Sequence, residues 1–142
     1  MVYFIKSIWG PAGQNGYPKH GKVEFSDKRS AERFSECSGF FLYETGHKEG
    51  DKKGARSIFA VGSIKNPKIF KEETTYLAKE EWAKKEFPYY IKITLSKRVE
   101  PNHGVPLSKI REILNSPGED MQRHGGIIKI TKTQFDKINS EL

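Results

Sequence analysis

Cysteine is almost missing from this sequence. The 142 residues hold one, Cys37, which excludes an internal disulfide framework and a cysteine-rich zinc site and fits a reducing compartment. Long apolar runs are missing too. The N-terminal Met1-Val2-Tyr3-Phe4-Ile5-Lys6 is far shorter than a signal-peptide core or a membrane span, so a cytoplasmic protein without membrane contact is expected. No Walker-type phosphate loop occurs: "GPAGQNG" has neither the spacing nor the following lysine-serine. His20, His47, His103 and His124 fall in glycine-flanked loops without HxxxH or HxxE spacing, and no Ser, His and Asp set stands out. Cys37 lies on the apolar face of a helix candidate, where a packed thiol is expected rather than a nucleophile. These absences point away from an enzyme, a metal site or a bound cofactor.

Positive charge and aromatic rings are what the chain has in excess. The formal charge is +7, from 25 Lys+Arg against 18 Asp+Glu, which favours a polyanionic partner because each basic group set against a phosphate releases a condensed counterion. A lysine-rich surface that is simply solvated is the plain alternative. Nine Phe, six Tyr and two Trp include several at loop edges: Trp9 where the first strand gives way to a glycine-rich loop, Phe25 just before a helix, and Tyr76 and Trp82 in a charged segment. Core packing explains part of this set. A base drawn out of a helix needs flat aromatic faces to stack on and basic groups around the mouth, and Lys6, Lys19, Lys22, Lys84 and Lys85 lie beside those aromatics.

At this length one domain over residues 1–142 is expected. "VYFIKSI" reads as a strand buried on both faces, and "GPAGQNGYPKHGK" as a long loop. Ser26 and Asp27 open a short helix with Ala31, Phe34 and Cys37 on one face. Phe40–Gly46 and Ser57–Ile64 read as an antiparallel pair across a charged loop. "FKEETTYLAKEEWAKKEF" has mixed helical character up to Pro88, and a long strand follows with Ile91, Ile93 and Leu95 on one face. "PLSKIREIL" places Leu107, Ile110 and Leu114 on a helical stripe behind Pro106. In the closing "GGIIKITKTQFDKI", Thr131 and Gln134 have capping-box spacing, so a strand feeds a final helix. Short strands with helices inserted at their ends make this an α+β fold, a sheet curled into a small β-barrel with flanking helices.

The stretches "YFIKS", "GFFLYETG" with "SIFAVGSI", "YYIKITLSKRVEPNHGVPLSKI" and "RHGGIIKITKTQFDKI" together resemble the EVE and YTH-like domains of the PUA-like superfamily. The close is most like EVE domains, and the opening "FIKS" more like YTH. The resemblance implies a pocket that takes in a flipped, chemically modified base, in DNA or RNA, possessed by a reader and not an enzyme. It further suggests the targeting module of a modification-dependent restriction system, with a nuclease or motor partner. A general RNA-binding PUA-like protein without modification preference, or a small-ligand binder using the same pocket, are the alternatives.

Carried over residue by residue, the resemblance puts Phe25-Ser26 of "EFSD" where the family has its first cage tryptophan and a serine. Tyr76 or Trp82 takes the second cage position, and Leu95 stands where the family's strand has a tryptophan. Trp9 and Ser7 complete the expected modified-base pocket, with Lys6, Lys19, Lys22, Lys84 and Lys85 expected on the nucleic-acid backbone.

Overall fold

The computed structural model describes residues 1–8, 21–46, 48–49, 51–71, 88–115 and 126–142. Its strands are β1 (Tyr3–Ile8), β2 (Lys22–Phe25), β3 (Gly39–Glu44), β4 (Lys48–Glu49), β5 (Lys52–Lys53), β6 (Ser57–Lys71), β7 (Tyr89–Arg98), β8 (Val105–Pro106) and β9 (Ile127–Ile130). Three helices are described, α1 (Lys28–Ser35), α2 (Leu107–Leu114) and α3 (Lys132–Glu141), with a 3-10 turn at Pro101–His103. The order β2-β7-β6-β3-β1-β9, with β8 pairing to β6, makes one mixed sheet. It curls into a half-barrel, an α+β architecture as expected. No described helix is long and apolar enough to cross a membrane.

The apolar character of β1 has a direct cause. It lies between a parallel neighbour, β3, and an antiparallel one, β9, and all six of its residues are buried. Its side chains alternate between two cores. Phe4 and Ile8 join Phe25, Ala31, Phe34, Phe40 and Leu42 under α1. Tyr3 and Ile5 join Phe41, Tyr43, Ile110, Leu114 and Ile138 under α2 and α3. α1 begins at Asp27, whose carboxylate accepts from the Ser30 amide at 2.7 Å and the Ser30 hydroxyl at 3.0 Å. Those bonds, the backbone one first, hold the Asp27 carboxyl below its usual range.

The end of the chain closes the other core. The Gln134 amide donates to the Thr131 hydroxyl at 3.1 Å and the Thr131 amide to the Gln134 side chain at 2.9 Å, a complete capping box. This start aims Phe135 at Tyr3 and Phe41, with ring centroids 4.4 and 4.6 Å apart. Gly39 leaves the space: a Cβ there would lie 3.1 Å from the Phe135 ring. Thr131→Ala should therefore cost about 1 kcal/mol of stability, read as a lower urea midpoint with unchanged slope.

The structure adds to the sequence reading the strand β2, where a loop was expected to run to Lys22 and a helix to open at Ser26, and the two-residue strands β4, β5 and β8, and it extends a fifth strand. β6 does not stop at Ile64 but continues through Pro67 to Lys71 along β7, with register shifts between Ile64 and Asn66 and between Asn66 and Phe70. These irregularities let the strand carry a proline that cannot donate to the ladder. Phe70 and Lys71, expected to open a helical segment, are strand residues; the rest of that segment lies outside the described residues.

Candidate functional site

Four of the ten expected contact residues fall among those described. Trp9, Tyr76, Trp82, Lys19, Lys84 and Lys85 lie outside them. The structure brings Lys6 and Phe25 together on the α1 side of the sheet, and the alternation of β1 turns Ser7 to the opposite face, as that of β2 does Lys22.

Lys6 differs most from expectation. A phosphate-contacting lysine belongs on the surface, yet Lys6 is 1% exposed. The alternation of β1 explains this, because Phe4, Lys6 and Ile8 all point toward α1. Its ammonium donates to the Ser7 carbonyl at 3.5 Å and lies 4.9 Å from the centroid of the Phe25 ring. Loss of water pulls its pKa down to about 7, against the opposing pull of the Glu24 and Asp27 carboxylates. Near neutral pH it therefore exchanges between an amine and an ammonium. Ser7 is also buried, and its amide donates to the Gly126 carbonyl at 2.9 Å.

Phe25, the first expected cage ring, is 1% exposed and tilts onto Phe34 with centroids 5.2 Å apart. Its ring is a wall of the α1 core, and the face under Lys6 is occupied by that side chain. Lys22 is half-buried with its ammonium 4.5 Å from the Tyr90 centroid. Cys37 is buried in the same core, and burial pushes its thiol up to about 12, so it stays protonated at neutral pH. Among the described residues no group of three or more His, Cys, Asp or Glu side chains could hold a metal ion.

A second group was not singled out in the sequence. On β7, Ile91 and Ile93 face the α1 core while Tyr90 and Lys92 face away from it, and Tyr90 stacks on Phe70 of β6 with centroids 5.1 Å apart and planes 13° from parallel. Lys92 and Lys68 lie 4.8 and 5.0 Å from the Phe70 centroid. The alternation Tyr-Ile-Lys-Ile at 90–93 carried the signal for Tyr90 and Lys92. Phe70 was hidden by the helical reading of its segment.

No protein-family model and no curated protein matches this sequence. Solved structures do match its fold. The YTH domain of Mmi1 in complex with RNA superposes at a TM-score of 0.61, with 12% identity, over 98% of this chain and 79% of that one. The chain has a YTH-like fold. The Pho92 YTH domain in complex with m6A matches at 0.58 and 10% identity, over 98% of this chain and 81% of that one. ASCH from Zymomonas mobilis matches at 0.58 and 9% identity, over 97% of this chain and 94% of its own. The YTH-like fold thus runs across nearly the whole chain, and β1 with its "FIKS" lies beside the centre of the sheet.

Proposed function

We propose that this protein is a non-enzymatic nucleic-acid reader that takes a modified, methylated base, flipped out of its strand, into an aromatic pocket at the end of β1. The observation that carries the reading is the YTH-like fold, shared over 98% of the chain with domains solved in complex with RNA and with m6A. The +7 charge supports it, since phosphate contacts supply most of the affinity of such proteins. In this reading Trp9 and Tyr76 or Trp82 frame the pocket and Lys19, Lys84 and Lys85 hold the strand, while Lys6, Ser7 and Phe25, each 1% exposed, stand behind its wall.

The whole chain acts as one domain in the cytoplasm, on RNA in preference to DNA, because the solved neighbours with nucleic acid hold RNA. Targeting for a restriction system, with a nuclease or motor partner, is the setting that the EVE side of the resemblance suggests, and it would call for DNA instead.

The test is binding to matched methylated and unmethylated oligonucleotides, RNA and DNA in parallel, at several salt concentrations. Methylation should strengthen binding of one of the two. Log affinity should fall linearly with log salt, with a slope of about −0.7 per phosphate contact on a single strand. Equal affinity for methylated and unmethylated strands of both kinds removes the modified-base reading and leaves a general RNA-binding protein. Hydrolysis of the oligonucleotide by the pure chain removes the non-enzymatic one.

A further inference from the structure

The face of the sheet turned away from α1, where β2, β7 and the far end of β6 meet, has no part in the pocket at β1. Phe70 and Tyr90 are half-buried, belong to neither core, and stack on one another at 5.1 Å and 13°. Three ammonium groups lie over this pair: Lys22 at 4.5 Å from Tyr90, and Lys92 at 4.8 Å and Lys68 at 5.0 Å from Phe70. Lys22 and Lys92 are paired in register across β2 and β7, so the like charges are held side by side by the ladder itself. Among the described residues neither Lys68 nor Lys92 has an acidic partner, and Glu24, in register with Tyr90, adds one negative charge against the three positive ones.

Like charges gathered on a strand pair weaken folding, and core packing does not require two aromatic rings outside the core. Both features suit one kind of occupant. A nucleobase can extend the stack of two near-parallel rings by taking the place of an ammonium over one of them. The exchange is favourable, because a base stacked on an aromatic is held more firmly than an exposed ammonium over the same ring. The displaced lysine, on its flexible four-carbon stem, then reaches the phosphate of the same nucleotide. An acidic peptide would satisfy the lysines but leave the rings without a flat partner.

We propose that this face is a second contact surface, for unmodified single-stranded nucleic acid, with the Phe70–Tyr90 pair as a base-stacking platform and Lys22, Lys68 and Lys92 as phosphate contacts. It reads no modification. It holds a stretch of strand outside the pocket, by stacking and charge, and so does not depend on the modified-base reading.

The test uses an unmodified single-stranded RNA and DNA of the same mixed sequence, the matching duplex, and polyglutamate as a polyanion without bases. Tyr90→Ala should weaken binding of the single strand roughly tenfold or more, and Tyr90→Phe should leave it nearly unchanged, since the ring and not the hydroxyl stacks. Replacing Lys68 and Lys92 together by Gln should make the salt slope shallower by about 1.4, two phosphates on a single strand. Where methylated strands bind better, both variants should weaken methylated and unmethylated strands by the same factor and leave their ratio intact. Loss of that ratio's preference in the unaltered protein bears on the pocket alone. A folded Tyr90→Ala protein with full affinity, or polyglutamate binding as tightly as the single strand, overturns the platform. If Tyr90→Ala does not fold, an unchanged salt slope in the lysine variant overturns it instead. Preference of RNA over DNA, or the reverse, assigns the strand that the platform takes.

Discussion

Replacing Lys6 by Met is expected to stabilise the protein below about pH 7, and the gap between the two proteins should narrow as the pH rises toward 10.5. The sign follows from where the proton sits. In the unfolded chain Lys6 keeps its proton up to its ordinary value of 10.5, whereas in the folded chain burial makes it give the proton up at about 7. Between those values the unfolded state binds the extra proton, so the stability of the unaltered protein rises with pH through this window. Below it, both states are protonated and the cost of burying the charge is present in full. The difference between the two values corresponds to on the order of 5 kcal/mol. Met fills a similar volume without a charge, and the variant should lack this slope. Chemical denaturation of both proteins across the window is the measurement. Parallel stability curves, with no narrowing, would show that Lys6 is solvated in the folded state.

The same residue shows where sequence reading stops. "VYFIKSI" announced a strand buried on both faces, and β1 is that strand, set between β3 and β9. The pairing of the strand candidates around Phe41 and Val61 was legible from their aromatic and β-branched content, and the two are register partners in β3 and β6. The capping box was legible because it needs only two residues at fixed spacing, and both of its bonds form. What these have in common is that the cause lies within a few residues of the effect. The burial of Lys6 has its cause elsewhere: α1 and Phe25 cover the face that the strand's alternation assigns to it, and a lysine read on its own is taken for a surface residue. β6 was cut short for a similar reason. Pro67 and the polar residues around it read as a break, and only pairing with β7, from about 18 to 26 residues along the chain, carries the strand through to Lys71. The Phe70–Tyr90 stack depends on that pairing, so it could not be found before the strand was extended.

Phe34→Ala should cause a large loss of stability, roughly 3–5 kcal/mol, which for a domain of ordinary stability removes a large share of the total. Phe34 is fully buried on α1 and sits among Phe40, Phe25 and Phe4, at centroid distances of 5.0, 5.2 and 6.0 Å. Alanine is a better helix former than phenylalanine, so helix propensity changes in the opposite direction and the whole loss comes from packing. The hole would lie between rings that are themselves anchored on β1, β2 and β3 and cannot all collapse into it. Phe25 forms the wall under the Lys6 ammonium, so emptying the space behind it should also loosen that wall. The expected signature is a denaturant midpoint well below that of the unaltered protein, together with a Lys6 pH dependence that becomes shallower as water gains access to the ammonium. Phe34→Leu, which keeps most of the volume, should cost distinctly less and preserve the pH dependence. A loss below about 1 kcal/mol for the alanine variant would mean that α1 does not seat its Phe34 on the sheet, and the core that buries Lys6 would have to be drawn differently.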